Sequence, residues 1–263
     1  MTQDLKIKIF TRSFDLRLYR LSKGLYEDLG WPVVRLTDKS ADGYFYSILK
    51  DSECDIAVNI DEDAFLTDPQ ALKELLQRVL EGGYANAGCP DGGSEALPRC
   101  GDPHVTNPFF NILDLRQIRP AFDRSLLHRK SGDLEPYYPF FRWMADNFKT
   151  LYLPAAKHPD GISTILQDCE GHSLLLHSWF ARFYSMPGWM VQRVQNGLPD
   201  QRARIDALID EAYAIRGLAR PVFRQRDRAL FVLNDILRWT IKIPQRISRW
   251  PGKLRRRLSD GIG

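Results

Sequence analysis

The stretch CDIAVNIDEDAFLTDP, residues 54–69, decides the fold class that we predict for this chain. Its apolar, β-branched segment DIAVNI (55–60) is typical of a buried strand. Asp68 and Pro69 favour a helix start, because an aspartate side chain accepts from free backbone N–H groups and proline suits the first helical position. The helical pattern continues to the glycine pair at 82–83. A buried strand followed directly by a helix is the unit from which parallel sheets are built.

Segments of the same two kinds alternate on both sides of this stretch. Strand patterns occupy residues 5–10, 32–36, 84–88, 109–115, 152–154 and 173–177, and helix patterns occupy residues 16–29, 44–50, 135–148 and 205–215. This order predicts an α/β fold with a mostly parallel central sheet and helices on both faces. Residues 90–108 are rich in Gly, Pro, Asp and Ser, which predicts a long loop.

The charge of the chain is unevenly distributed. The 263 residues carry a net charge of +4. Residues 220–263 hold 12 Lys+Arg and 3 Asp+Glu, a net +9, which leaves 25 basic and 30 acidic residues, a net −5, in residues 1–219. We therefore divide the chain into a catalytic-domain candidate, 1–219, and a basic helical tail, 220–263. Such a tail favours an anionic partner.

The sequence lacks the patterns that mark several classes of protein. No uncharged apolar run is long enough to span a membrane, and no secretory signal is visible at the N-terminus. The cysteines lack the CxxC spacing of a zinc site and favour a reducing compartment; they are Cys54, Cys89, Cys100 and Cys169. The glycine-rich motifs of dinucleotide and P-loop sites and the Gly-x-Ser-x-Gly elbow are absent.

The tail has the pattern of an amphipathic helix. Arg and Lys residues separate an apolar stripe formed by Leu230, Leu233, Leu237, Ile241, Ile243, Ile247, Trp250, Leu254 and Leu258. Leu and Trp on one face with basic residues on the other are typical of a helix at a membrane surface. We expect residues 230–258 to bind an anionic membrane, which places the protein in the cytoplasm at the inner face of the cell membrane. A helix packed on its own domain or on a dimer partner is the alternative, and nucleic acid is not expected because no binding motif accompanies the charge.

An acidic cluster, Asp61-Glu62-Asp63, follows the strand at 55–60. Ligands of open α/β sheets bind beyond the carboxyl ends of the strands. Residues two apart in an extended chain point to the same side, so we expect Asp61 and Asp63 to converge and Glu62 to face away. Paired carboxylates favour a hard divalent cation, Mg²⁺ or Mn²⁺, that can bridge to a diphosphate. An ordinary exposed acidic turn is the alternative.

The segment 54–69 resembles the metal-binding DxD region of GT-A glycosyltransferases, in which a hydrophobic strand delivers the motif to a nucleotide-sugar site. Two more segments fit this resemblance. NPFFNILDLR (107–116) is similar to the later FNxGxxxxN strand that passes the sugar, although Ile112 replaces a small residue there. LLLHSWFAR (174–182) is similar to a late strand whose histidine ligates the metal, whereas the HxxGxxKPW pattern of glycogenin-like enzymes is absent.

The resemblance implies a Rossmann-like GT-A fold and a metal site with Asp61, Asp63 and His177 as ligands of Mn²⁺ or Mg²⁺. For His177, a packed and hydrogen-bonded core position is the alternative. In the resembled fold the turn after the first strand cradles the nucleotide. The candidates for nucleotide binding are Thr11, Arg12 and Asp15 in that turn, Asp38 just past the second strand, and Arg182, which could neutralise phosphate. An ordinary capped turn and surface charges are the alternatives for these residues.

Two further carboxylates are candidates for the chemistry. Asp114, within FNILDL, is expected to reach the donor or acceptor sugar, unless it is a polar residue on the solvent side of an edge strand. Asp102 is a candidate general base, which an inverting enzyme needs to deprotonate the attacking hydroxyl. Other loop carboxylates are open to the same role, namely Asp133, Glu135, Asp160 and Asp168.

These patterns predict a metal-dependent glycosyltransferase that moves a hexosyl group from a UDP- or GDP-sugar. The acceptor is expected to be a glycan or a lipid-linked molecule, as in bacterial surface-polysaccharide biosynthesis. A nucleotidyltransferase would use similar carboxylates and metal but release pyrophosphate. A non-catalytic membrane adaptor, working through its basic tail, is the alternative outside enzymology.

Overall fold

The computed structural model describes residues 5–37, 40–93, 95–97, 101–128, 133, 135–185 and 200–237. Its strands are β1 (Ile7–Arg12), β2 (Val33–Leu36), β3 (Ile56–Ile60), β4 (Ala64–Leu66), β5 (Asn86–Pro90), β6 (Thr106–Asp114), β7 (Thr150–Tyr152), β8 (Ala155–Lys157), β9 (Thr164–Gln167) and β10 (Ser173–His177). Its α-helices are α1 (Leu16–Lys23), α2 (Ala41–Lys50), α3 (Pro69–Glu81), α4 (Leu115–Ile118), α5 (Tyr138–Asn147), α6 (Gln201–Ile215) and α7, which is helical over the described residues 225–237.

A six-stranded sheet in the order β2-β1-β3-β6-β5-β7 forms the centre of the fold. Strand β1 pairs in parallel with β2 and β3, and β5 pairs in parallel with β7. Strand β6 is antiparallel to both of its neighbours, β3 and β5. Five strands therefore share one direction, and the predicted mostly parallel α/β sheet is confirmed.

Helices cover both faces of this sheet. Successive residues of a strand point to opposite faces, and the core divides accordingly. Ile9 of β1 and Val58 of β3 pack in a cluster with apolar residues of α1, α3 and α6. Phe10 and Ala57 belong to a second cluster with residues of α2, α4 and α5. This three-layer arrangement leaves the carboxyl ends of the parallel strands at one edge.

A second, four-stranded sheet lies next to the first. It has the order β4-β10-β9-β8, and its neighbouring strands are all antiparallel. Strand β4 begins only four positions after β3 ends. The short link 61–63 thus carries the chain out of the central sheet and into the small one.

Helix boundaries follow the predicted signals where the signals are local. The side chain of Asp68 accepts from the backbone N–H groups of Gln70 and Ala71, and α3 ends at Gly82, as predicted. Helix α1 ends earlier than predicted, because the Tyr213 hydroxyl of α6 donates to the Leu21 carbonyl at 2.8 Å. That carbonyl is the acceptor that a fourth-residue bond would need if the helix continued.

The described part of the predicted tail is helix α7, which lies along α1. Asp227 pairs with Arg20 at 2.6 Å, and Asn234 accepts from the backbone N–H of Leu16 at 3.1 Å. Phe231 is buried beneath the guanidinium groups of Arg17 and Arg20. Residues 238–263, which contain the rest of the predicted stripe, lie outside the described residues. No helix in the described part of the chain is long and apolar enough to cross a bilayer.

Gly88 allows β5 and β6 to approach each other closely. A Cβ atom at Gly88 would lie 2.6 Å from Nδ2 of Asn111 and 2.8 Å from the carbonyl oxygen of Phe110. Asn111 is fully buried and joins Asn59 of β3 to Thr106 by hydrogen bonds at 3.3 and 3.0 Å. The glycine therefore makes room for a buried polar link between the central strands β3 and β6.

We predict that Gly88→Ala lowers the free energy of unfolding by about 2 kcal/mol or more, because neither the backbone carbonyl nor the bonded amide can move away cheaply. Urea unfolding measures the loss. Gly161→Ala is the control: its Cβ would meet nothing within 4 Å, and its cost of about 1 kcal/mol comes from a φ of +77° alone. A Gly88→Ala protein as stable as the wild type would contradict this account of the sheet.

Candidate functional site

The candidate site lies where β1 and β3 end, at the junction of the two sheets. Arg12 is the last residue of β1, and Asp61 is the first residue after β3. The link does not continue as extended chain, since the Ala64 N–H donates to the Asp61 carbonyl at 3.1 Å and closes a tight turn. The link is therefore a turn, and not the extended chain on which the predicted alternation rested. The turn instead directs Asp61 towards β1 and Asp63 towards β10.

Asp61 is a nearly buried carboxylate with a distant counter-charge. Its Oδ2 lies 3.8 Å from Nη2 of Arg12, and 15% of its side chain remains exposed. Burial raises the pKa of Asp61 to about 6; Arg12 and His177 oppose this rise, and the negative charge of Asp63 adds to it. The ionised form is thus held at a cost, which a cation at this position would offset.

Asp63 is tied to the segment that follows β10. Its Oδ1 lies 3.4 Å from Nε2 of His177, and its Oδ2 accepts from the Ala181 N–H at 3.3 Å and from the Ser178 hydroxyl at 3.4 Å. Burial acts to raise the pKa of Asp63, but His177 and the Ala181 N–H outweigh it and hold the pKa below its ordinary value. Asp63 therefore stays ionised and fixes the end of β10 against the link.

His177 is packed among aromatic rings and lies beside a carboxylate. This environment is the one described above as the alternative to a metal-ligand role. Its ring stacks on Phe109 with centroids 4.2 Å apart and contacts Trp179 at 4.3 Å. It also lies beside Asp63, the position expected of a ligand, and its buried Nδ1 has no hydrogen-bond partner within the described residues. The geometry thus places His177 beside Asp63 in an aromatic cluster, and its role as a metal ligand stays a prediction.

Within the described residues, no three His, Cys, Asp or Glu side chains come together in a group that could hold a metal ion. The predicted set of Asp61, Asp63 and His177 does not form a closed protein cage. The donors present fit a different arrangement, because Asp61 offers a carboxylate whose one described ion pair is long. Mg²⁺ is commonly held by one or two carboxylates, with water and substrate phosphates as the remaining ligands.

Glu62 faces away from Asp61, as predicted, and its side chain is buried rather than exposed to solvent. Five consecutive backbone N–H groups, residues 14–18, donate to side-chain oxygens at 2.9–3.1 Å. Buried Glu62 accepts from the first two, Asn234 from the third and Asp15 from the last two. The amino end of α1 is thereby satisfied by the protein itself, and Glu62 fixes the β1–α1 turn next to Arg12.

Two of the predicted nucleotide-binding residues have structural roles in this turn. Thr11 is fully buried, with its hydroxyl 3.1 Å from the Tyr26 hydroxyl, so it does not face a ligand. Asp15 caps α1, and its second oxygen accepts from the hydroxyl of Ser185. Both expectations need correction, because burial and capping use these side chains. Arg12 is the predicted residue of the turn that does reach the site.

The other predicted contacts of the nucleotide lie apart from Asp61. Asp38 is outside the described residues. Arg182 is exposed and contacts the rings of Phe180 and Phe183 at 5.9 and 5.0 Å. It follows the Ala181 N–H that binds Asp63, so it lies near the rim of the site without a described contact to Asp61 or Arg12.

Asp114 is not brought to Asp61, and Asp102 has no described contact with Asp61. Because β6 is antiparallel to β3, Asp114 pairs with Ile56, the first residue of β3, at the opposite edge of the sheet, ~17 Å along the strand from Asp61. There it caps α4 and binds Arg116 at 2.7 Å. Asp102 binds Nε of Arg142 at 2.7 Å and the His104 N–H at 2.9 Å. Asp114 is therefore not a catalytic candidate at this site, and this correction follows from strand direction. Asp102 is ion-paired, and its role as a general base stays a prediction.

A strained backbone segment borders the site, and Arg204 holds it. Trp179 and Phe180 have φ angles of +57° and +60°, a left-handed conformation that costs free energy for bulky residues. The buried guanidinium of Arg204 on α6 donates to the carbonyl oxygens of Ser178 and Trp179 at 2.6 and 3.2 Å. Asp160 binds the same guanidinium at 3.2 Å.

Sequence reasoning missed Glu62 and Arg204 as supports of the site. The signal for Glu62 was present, since a carboxylate between two site residues and a helix start are both visible in the sequence. No local signal marks this role of Arg204, because the carbonyl groups and the carboxylate that it holds at the site lie 25 and more positions earlier in the chain.

Comparison with known proteins finds no matching family model and no matching curated protein. Among solved structures, a glycosyltransferase involved in the glycosylation of the major capsid of PBCV-1 is 11% identical, covers 78% of this chain and 98% of its own, and has a TM-score of 0.43. The mannosyltransferase PcManGT from Pyrobaculum calidifontis, in complex with GDP-Man and Mn²⁺, is 9% identical, covers 89% and 80%, and has a TM-score of 0.41. A197 from STIV is 12% identical, covers 65% and 94%, and also has a TM-score of 0.41. Likenesses at this level identify neither a function nor a site residue.

We predict that Asp61→Asn stabilises the metal-free protein at pH 7.5 by about 2 kcal/mol and leaves its stability unchanged at pH 4. The folded protein keeps the Asp61 proton up to a pKa of about 6, whereas the unfolded chain releases it near pH 4. The wild-type protein therefore loses the stability that protonated Asp61 provides as the pH rises through that window. An asparagine at this position has no proton to release and keeps its contribution to stability. Urea unfolding in EDTA at both pH values measures the difference, with exposed Asp146→Asn as the control. An equal effect at both pH values would contradict the raised pKa.

We predict that Glu62→Ala lowers the free energy of unfolding by about 1–3 kcal/mol, because the two backbone N–H groups at residues 14 and 15 lose their acceptor. Glu62→Gln keeps an oxygen in place and should lose less. Thermal unfolding of the two variants at one pH compares them directly. Equal stability of Glu62→Ala and the wild type would show that Glu62 does not support the turn.

Proposed function

We propose that this chain is a glycosyltransferase that uses a nucleotide sugar and a divalent cation. One observation carries the proposal: a buried but water-accessible carboxylate, Asp61, lies beside the guanidinium of Arg12 at the carboxyl ends of two central parallel strands. Open α/β sheets bind their ligands at this edge. The resemblance of residues 54–69 to the DxD region of GT-A enzymes supports the same assignment.

The charges at the site suit a diphosphate bound with a metal ion. The Arg12 guanidinium presents several N–H donors, a geometry that matches phosphate oxygens. Asp61 would hold the ion, with Asp63 as the nearby second carboxylate. A bound Mn²⁺ or Mg²⁺ supplies Lewis-acid stabilisation of the charge on a leaving nucleoside diphosphate. The long Arg12–Asp61 separation leaves both groups able to turn towards such a ligand.

The surrounding residues hold the backbone of the site in place and take no part in the reaction. Glu62 holds the β1–α1 turn that positions Arg12, and Asp63 holds the segment after β10. Arg204 fixes the carbonyl groups of that segment, which keeps Trp179 at the rim. Each support removes backbone freedom before a substrate binds, and preorganisation of this kind lowers the cost of binding.

The finer parts of the proposal concern donor, acceptor and location. We infer a UDP- or GDP-hexose as donor and a glycan or lipid-linked molecule as acceptor, as in surface-polysaccharide assembly. The exposed apolar residues of α7 and the basic sequence that follows support a cytoplasmic protein at the inner face of the cell membrane. The division into residues 1–219 and a tail belongs to the same proposal.

The reaction products separate this function from its rivals. The purified chain is incubated with UDP- and GDP-sugars and Mn²⁺, and the released species are identified by chromatography. A glycosyltransferase releases UDP or GDP by hydrolysis or transfer. Release of pyrophosphate from a sugar phosphate and a nucleoside triphosphate would indicate a nucleotidyltransferase. Absence of either activity, together with absence of nucleotide binding, would favour the membrane adaptor.

We predict that Asp61→Ala weakens Mn²⁺-dependent binding of UDP or GDP by about 100-fold, since the ion would lose its carboxylate ligand. Arg12→Gln should weaken binding by about tenfold, because phosphate loses a cationic partner. Calorimetric titration with and without Mn²⁺ measures both effects. Asp146→Ala removes an exposed carboxylate from α5 and serves as the control.

Asp63→Ala is expected to abolish Mn²⁺-dependent binding as well, but through displacement of the segment after β10. Its thermal stability should therefore fall, whereas that of Asp61→Ala should not. Affinities of Asp61→Ala and Asp63→Ala that match the wild type would overturn the assignment of the metal site.

A further inference from the structure

Exposed apolar side chains are concentrated in one segment of the chain. Among the described residues, Tyr152 is the exposed large hydrophobic outside residues 215–237. The others are Ile215, Leu218, Val222, Leu230, Val232, Leu233, Ile236 and Leu237. Isolated exposed apolar residues are ordinary on a protein surface, whereas a local concentration marks an interaction site.

Helix α7 presents two opposite faces. Asp227, Phe231 and Asn234 are spaced by four and three positions and contact α1. Residues spaced in this way share one side of a helix. Val232, Leu233 and Ile236 fall on the other side, and Leu230 and Leu237 flank it. Each of these five residues has between 45% and 58% of its surface exposed. The polar and aromatic contacts therefore anchor the helix and turn its aliphatic face outwards, which we call the α7 outer face.

We propose that the α7 outer face binds the surface of an anionic lipid bilayer. The chemistry of its surroundings favours this partner. Exposed Arg224, Arg226 and Arg228 lie at the start of the helix. The sequence that continues from residue 238 to 263 contains eight Lys+Arg and one Asp. Aliphatic residues that enter the headgroup region beside a large excess of basic residues are the combination that holds a helix at an anionic membrane surface.

The packing of α7 also sets where the bilayer lies relative to the candidate site. Asp227 contacts Arg20 within α1, and Asn234 contacts Leu16 at its first turn, so α7 runs antiparallel to α1. The first turn of α1 follows Arg12 and is held by Glu62. The end of α7 therefore lies at the same edge as Asp61. If the proposed function holds, on which this step rests, an acceptor anchored in that bilayer lies on the side of the donor site.

Sedimentation with lipid vesicles tests the proposal on the full chain, without donor or acceptor. Vesicles of phosphatidylcholine with phosphatidylglycerol are compared with vesicles of phosphatidylcholine alone. We expect pelleting with the anionic vesicles, partial loss as salt shrinks the Debye length from about 10 Å to 3 Å, and a salt-resistant remainder from the apolar face. No pelleting with anionic vesicles at low salt would overturn the proposal.

Substitutions on the outer face locate the contact. The double substitution Leu233→Asp and Ile236→Asp should weaken vesicle binding by about tenfold or more, because two charged groups would have to enter the interface. Tyr152→Asp makes the same change at an exposed hydrophobic outside the segment and should bind as the wild type does. The milder pair Leu233→Ser and Ile236→Ser, with melting curves for all variants, keeps the test valid if the aspartates disturb the helix. Wild-type binding by both double variants would overturn the proposal.

Light scattering in the absence of vesicles tests whether a second copy of the chain covers this face instead of a bilayer. A concentration-dependent dimer that disappears with Leu233→Asp and Ile236→Asp would show that a second copy covers the outer face, and it would overturn the membrane assignment. Because vesicle binding is measured without a nucleotide, its failure is distinguishable from failure of the proposed glycosyl transfer.

Discussion

The turn from Asp61 to Ala64 carries the chain from the parallel central sheet into the small antiparallel sheet, and the candidate site depends on that change of direction. The turn is closed by one backbone hydrogen bond at 3.1 Å. It sends three consecutive carboxylates in three directions, towards β1, the start of α1 and the end of β10. Each carboxylate therefore meets a different element, and the three elements are fixed relative to one another at one point.

The contacts of these three carboxylates give them different roles at the site. The carboxylate oxygens of Glu62 and Asp63 accept hydrogen bonds from backbone and side-chain donors of the protein. Two of the donors to Asp63 lie 115 and 118 positions away in the sequence. Asp61 has a pKa raised to about 6 and, among the residues that the structure describes, a single long ion pair. A buried carboxylate in that condition destabilises the folded protein near neutral pH. Such a cost is typical of residues retained for binding or catalysis rather than for stability.

Local patterns predicted the parts of the fold that local physics decides. Strand β10 lies at its predicted apolar run, helix α3 begins at its predicted capping residue, and the mostly parallel sheet follows from the order of elements. Helix α1 ends early because of Tyr213, which lies 192 positions after the carbonyl that it binds. The local trace of this contact is Gly24, the C-cap residue, where a Cβ atom would clash with the Tyr213 hydroxyl.

The candidate site was only partly predictable for the same reason. Arg12 and Asp61 follow strands whose direction was predicted correctly, and the structure places them together. Asp114 was expected at the site because β6 looks like any other buried strand, and its reversed direction moves that residue to the far edge. Thr11 and Asp15 have the polar character of ligand-binding residues, but burial and capping use their side chains. Pattern identifies polar groups near a strand end, whereas pairing direction and burial decide which of them face a ligand.

A crystal structure of the chain with Mn²⁺ and a UDP- or GDP-sugar tests the central claim most directly. An anomalous difference map locates the ion independently of the protein model. The account predicts an anomalous peak bonded to the Asp61 carboxylate, with diphosphate oxygens completing its coordination and Arg12 against a phosphate. A peak and nucleotide bound elsewhere, for example beside Asp102 and Arg142, or a nucleotide bound at Asp61 without an ion, would contradict it.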